Sequence, residues 1–116
     1  ESVAYQTYDL FEAMKHDGLR PKLVKVDGGM VMNNWFSQFL SDVVDIKVLR
    51  PKVQETTALG AAFMAGLQIG VYKSLKDISK NWKLDKNFTP RIKSKERNNL
   101  VKGWSAAIKK TLTKTI

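Results

Sequence analysis

Two adjacent glycines, Gly28 and Gly29, stand between a short apolar segment and an amphipathic one. Backbone without a Cβ can pass close to a ligand. A glycine turn that opens a helix also presents unpaired N–H groups at the positive end of the helix dipole. That combination suits a phosphate. The spacing is not the Gly-x-Gly-x-x-Gly of dinucleotide folds, and no Gly-Lys-Ser/Thr of a Walker A loop occurs. On spacing alone, a phosphate cradle and a purely structural turn both remain open. Asn33 and Asn34 fall in the first turn of the following helix. One of them could offer an amide to a ribose or an adenine edge, or both could be simple first-turn polarity. Asp27 ends the strand before the glycines. It could orient a metal-bound water or a hydroxyl, or tie down the turn through backbone N–H groups. A second stretch, Glu55 to Gly66, is rich in Ala and Gly, and together the two suggest a nucleotide site between two helices.

No other catalytic constellation can be assembled. His16 stands alone beside Asp17 and reads as a surface residue. There is no Ser/His/Asp or Cys/His set, and nothing marks Asp42 and Asp45 as an acid/base pair. No catalytic residue and no metal ligand is assigned.

The elements that must position the glycines follow from periodicity. Val3, Leu10, Phe11 and Met14 share one face of a helix that Ser2 could cap and that runs to about Lys15. Leu23 to Val26 reads as a buried strand. Met32, Trp35, Phe36, Phe39, Leu40 and Val43 form a wide apolar stripe, so the second helix should pack on a sheet with its aromatics in the core. Ile46 to Leu49 reads as a second strand, closed by Pro51. A helix from about Thr57 to Gly70 is nearly free of charge. A glycine inside it costs about 1 kcal/mol relative to alanine, which predicts close approach of another backbone or a ligand. Ser74 to Lys86 could hold a short helix, and Phe88-Thr89-Pro90 reads as extended or turn. Ser94 could cap a last helix with Leu100, Val101, Trp104, Ile108 and Leu112 on one face. The order is helix-strand-helix-strand-helix plus a C-terminal helix, an α/β pattern with parallel pairing. Two short strands are marginal as a sheet, so the sheet is expected to be incomplete and to borrow neighbouring strands.

The chain has 116 residues and no cysteine, which excludes disulfides and Cys-based metal sites. Its apolar runs are too short to span a bilayer, and no signal region is visible, so a cytoplasmic location is expected. The final Thr113-Lys114-Thr115-Ile116 does not match a Ser-Lys-Leu address. The net charge of +9 is unevenly placed: residues 1–70 hold seven Lys/Arg against eight Asp/Glu, and residues 71–116 hold thirteen against three. A basic end of this kind could be a binding module for an anionic partner. It is mostly lysine, with aromatics at helix spacing, so nucleic acid is not expected.

From Asp27 to Asn34 the sequence resembles the C-terminal part of glycerol kinases, sugar kinases that share the actin-like ATPase fold. The resemblance continues through Glu1 to Thr7, through Gln38 to Asp42, and through Arg50-Pro51-x-Val53-x-Glu55-x-Thr57-Ala58-Leu59-Gly60-Ala61-Ala62. It closes with Phe88-x-Pro90, Glu96-Arg97-Asn98 and Gly103-Trp104-x-x-Ala107. It implies a partial actin-like (ribonuclease H-like) ATPase domain. Residues 1–116 would be the C-terminal portion of the nucleotide-binding domain, with 71–116 a basic extension packing on it. It implies a phosphotransferase that moves the γ-phosphate of ATP to glycerol with Mg²⁺, as a homo-oligomer. Gly29 would lie against the nucleotide phosphates, Gly28 would share that approach, and Asn33 would lie near the adenosine. The small-residue helix would pack behind the glycine loop. The catalytic Asp base, the glycerol contacts and the N-terminal phosphate loops of such kinases have no counterpart in these residues. The isolated chain is therefore expected to be inactive.

Overall fold

The computed structural model describes residues 1–112, so the Thr113 to Ile116 segment lies outside the described residues. The element order is α1 (Ser2–His16), β1 (Leu23–Lys25), a 3₁₀ turn (Gly29–Met32), α2 (Asn34–Val44), β2 (Lys47–Pro51), α3 (Thr56–Gln68), α4 (Leu75–Ser79), β3 (Leu84–Phe88) and α5 (Ser94–Thr111). The sheet has the order β1-β2-β3. β1 pairs parallel to β2 with Val24 opposite Val48. β3 pairs antiparallel to β2 with Val48 opposite Phe88 and Arg50 opposite Lys86. The α/β architecture with a small sheet is thus the expected one.

The core lies where α1 and α2 meet the sheet. Ala4 and Phe11 of α1, Phe36, Leu40 and Val44 of α2, and Val48 and Phe88 of β2 and β3 are all buried. The apolar stripe of α2 supplies this face at three- and four-residue steps. Helix α2 ends at Asp45, which adopts a left-handed conformation with φ 57°.

Several expectations need correction. The short helix expected between Ser74 and Lys86 is α4, but the sheet gains a third strand, β3, where no strand was expected before the extended-or-turn Phe88-Thr89-Pro90; of its five residues only Phe88 is buried. β1 is not a buried strand: it is an edge, and its Leu23 is 47% exposed. Trp35 leaves the core: it is 55% exposed and stacks on Phe39 with ring centroids 5.0 Å apart. The helices α1 and α5 begin after Glu1 and Lys93, and no side chain caps either one. Ser2 and Ser94 are the first helical residues instead. In α3 only Gly66 is buried. A Cβ at Gly60 would meet nothing within 4 Å among the described residues, so no backbone there makes the expected close approach. The hydrogen bonds that link the α3 region to the glycine loop lie at its N-terminal end, so α3 does not pack behind the loop along its length.

Helix α5 is anchored through buried Arg97. Its Nε donates to the Asp42 carbonyl at 2.7 Å and its Nη2 to the Asp45 carboxylate at 2.7 Å. The Asp42 carboxylate accepts from the Arg91 amide at 2.6 Å and from Gln38 Nε2 at 3.0 Å. Both aspartates are therefore structural anchors for the last helix. Trp104 stacks on Tyr5 with ring centroids 5.3 Å apart and donates its indole N–H to Asp9 at 2.8 Å. Burial raises the Tyr5 hydroxyl pKa, with the Glu1 charge adding to it.

Candidate nucleotide-facing loop

The loop begins where β1 ends. The Val26 amide still donates to Leu49 of β2 at 3.0 Å, and the Gly28 amide to Gln54 at 3.3 Å. These bonds fix the take-off of the turn. Gly28 has φ 86° and ψ 170°. That conformation is almost confined to glycine, so Gly28 is required by the backbone itself. Gly29 differs: its φ is not in the left-handed region, and a Cβ there would meet nothing within 4 Å. Neither strain nor packing inside the described residues demands a glycine at 29. The amides of Gly29 and Met30 also have no hydrogen-bond acceptor among the described residues. Both open the 3₁₀ turn, so two N–H groups are free beside an open approach.

Asp27 acts as a tether of the turn, though not through the backbone N–H groups expected. Its carboxylate accepts from the Thr56 hydroxyl at the start of α3. It ties the loop to the neighbouring helix, through a side chain rather than through backbone N–H groups.

The asparagine pair divides its work. Asn33 is the N-cap of α2, and its Oδ1 accepts from the amides of Trp35 at 2.9 Å and Phe36 at 3.2 Å. Backbone N–H groups can only donate, so this contact fixes the orientation of the side-chain amide. The Nδ2 group then has no acceptor among the described residues. Asn34 Oδ1 accepts from Arg50 Nη1 at 3.1 Å. Both asparagines thus spend their carbonyl oxygens inside the chain, Asn33 on the first turn of α2 and Asn34 on Arg50.

Arg50 is the residue that sequence reasoning missed. It lies at the end of β2 and is 6% exposed. Its Nη1 also donates to the carbonyls of Val31 at 2.8 Å and Met32 at 3.2 Å, which end the 3₁₀ turn. Its other edge meets Asp85 of β3, with Nε at 2.8 Å and Nη2 at 2.7 Å from Oδ2. Its sequence signals were a charged residue beside the apolar Val48-Leu49 pair and its place in the Arg50-Pro51 stretch of the resemblance. Among the described residues no group of three or more His, Cys, Asp or Glu could hold a metal ion.

Comparison with known proteins points to one family. Residues 1–69 match the C-terminal domain of the FGGY family of carbohydrate kinases. A glycerol kinase of Gluconobacter oxydans is 50% identical over 114 residues, covering 97% of this chain and 22% of that protein. One from Alteromonas mediterranea is 52% identical over 108 residues, again covering 22% of its length. The chain therefore spans about a fifth of these relatives. Among solved structures, Plasmodium falciparum glycerol kinase with ADP superposes with a TM-score of 0.81 at 31% identity, over 97% of this chain and 23% of that one. A xylulose kinase from Lactobacillus acidophilus shares the fold with a TM-score of 0.74 at 18% identity. Nothing in these matches supports the reading as a basic binding module. With a family match over more than half its residues and the expected glycine loop in place, this chain belongs to the FGGY family of carbohydrate kinases, as part of its C-terminal domain.

Proposed function

We propose that this chain supplies one wall of the ATP/ADP site of a glycerol kinase, which phosphorylates glycerol to glycerol 3-phosphate. The Gly28–Gly29 turn is the observation that carries the reading. Gly29 is a glycine that nothing within the described residues requires, beside two free amides. A phosphate approaching that face would account for both. The free N–H groups of Gly29 and Met30 would donate to phosphate oxygens, and the Asn33 amide to an acceptor on the adenosine. Gly28 sets the path of the turn and shares the close approach. The choice of glycerol follows the relatives, which are named glycerol kinases and are about half identical to this chain.

Phosphoryl transfer needs both substrates held in line and charge on the transferred group neutralised. The catalytic base and the glycerol contacts would come from the rest of the enzyme, as this chain matches only about a fifth of its relatives. The described residues do not fit a Mg²⁺ site of their own. Asp27, the carboxylate nearest the turn, is engaged by Thr56. Mg²⁺ is commonly held by substrate phosphates, waters and one or two carboxylates, and those ligands would lie outside this chain. We read residues 1–116 as the C-terminal portion of the nucleotide-binding domain and residues 71–116 as a basic extension packing on it. A homo-oligomer in the cytoplasm is the expected setting; among the described residues no helix is long and apolar enough to cross a membrane.

The test is a coupled assay of ADP release with the full-length enzyme, with and without glycerol. Glycerol-dependent release by the full-length enzyme, and none by the isolated chain, is expected. Turnover by the isolated chain, or none by the full-length enzyme, would sink the reading.

A further inference from the structure

We infer that Arg50, oriented by Asp85, is a positioning residue that sets the nucleotide-facing loop, the 3₁₀ turn together with the start of α2. The inference rests on the proposed kinase function and deepens it. One Nη1 group of Arg50 reaches Val31, Met32 and Asn34, which flank Asn33 on both sides. The Val31 carbonyl also accepts from the Ser37 hydroxyl at 2.8 Å, which binds the turn to the body of α2. The opposite edge of the guanidinium is spent on Asp85. A guanidinium is planar and presents donors on both edges, so fixing one edge fixes the other. The Phe88 ring, 5.6 Å from the guanidinium carbon, bounds the same group. A lysine has one point charge and could not serve both sides.

The arrangement links β3 to the loop by a single side chain. Asp85 makes no hydrogen bond to the loop itself, yet it decides where the Arg50 fork points. Without that anchor the Arg50 side chain is free to turn, and the carbonyls of Val31 and Met32 lose a charged donor. The 3₁₀ turn would then be free to move Gly29 and Asn33 together.

Asp85→Asn and Arg50→Lys in the full-length enzyme test this. Loss of a hydrogen bond to a charged group corresponds to about a tenfold rise in KM for ATP in each variant. KM for glycerol should stay within about twofold of wild type, because uniform loss of fold would move both constants. Amide hydrogen exchange read in the same variants should speed up at Met30 to Phe36 and not in α1. A folded variant with unchanged KM for ATP would overturn the inference. So would KM values that rise together, or exchange that speeds up uniformly. If Asp85→Asn fails to fold, Arg50→Lys and its exchange pattern decide by the same criteria. A wild-type enzyme with no glycerol-dependent turnover would defeat the kinase reading instead, and the exchange pattern would still report on the clamp.

Discussion

Substituting the two glycines one at a time should separate folding from binding. Gly28 sits at φ 86° and ψ 170°. An alanine forced into that region costs about 1–3 kcal/mol. For a chain of this size each kcal/mol lowers the unfolding midpoint by about 4 °C, so Gly28→Ala should lower it by about 4–12 °C. Gly29 has an ordinary φ and nothing within 4 Å of its Cβ position. Gly29→Ala should therefore leave the midpoint unchanged, or raise it slightly by restricting the unfolded chain. The new methyl would stand on the face offered to phosphate. Displacing a ligand from close packing costs about 1–3 kcal/mol, a loss of about 5- to 150-fold in affinity. Thermal unfolding by circular dichroism and ADP titration by calorimetry, on the same preparations of the full-length enzyme and on the chain for stability, read the two effects. Full ADP affinity in a folded Gly29→Ala variant would refute the placement of phosphate against this loop. An unchanged midpoint in Gly28→Ala would refute the backbone argument.

Asn33→Asp keeps an oxygen to cap α2 but removes the amide donor; stability should hold while ADP affinity falls, whereas Asn33→Ala should also lose about 1 kcal/mol of cap stability in urea unfolding. Arg97→Met removes the donors to Asp42 and Asp45 and should destabilise by about 1–3 kcal/mol in the same assay. Gly66→Ala would place a Cβ 2.8 Å from the Tyr72 ring, so the ring must move; a Tyr72 that keeps its edge contact with Phe63 in the variant's side-chain spectrum would contradict this. The Asp77 carboxyl is held below its ordinary value, first by the hydrogen bond from Lys80 and then by the Lys73 amide. A depressed folded value means its contribution is present above the unfolded pKa and is lost as pH falls through the folded one. A carboxyl titration by NMR should accordingly place the Asp77 midpoint below 3.8.

Much of the fold was legible because its elements carry strong periodic signals. The α2 stripe is one: Phe36, Leu40 and Val43 recur at helical spacing and are all buried. Trp35 belongs to the same stripe yet stands at its margin, and periodicity alone does not separate the centre of a stripe from its edge. β3 was not legible. Leu84-Asp85-Lys86-Asn87-Phe88 has poor strand composition and buries only Phe88. Charged residues on an edge strand also guard it against further pairing, which hides the strand signal. The glycine loop could be read from residue types, but the division of labour within it could not. Gly28 serves the backbone, whereas Gly29 serves nothing inside the described residues. Arg50 was invisible as a clamp, because its partners Val31, Met32, Asn34 and Asp85 lie at sequence separations that only the fold brings together.

The central claim is that this loop faces the nucleotide. Its most direct test is to follow backbone amide resonances of the full-length enzyme, selectively labelled, as ADP is added. Shifts concentrated at Gly28, Gly29, Met30 and the Asn33 side-chain amide are the expected result. Saturating ADP that shifts resonances elsewhere and leaves these unmoved would contradict the account.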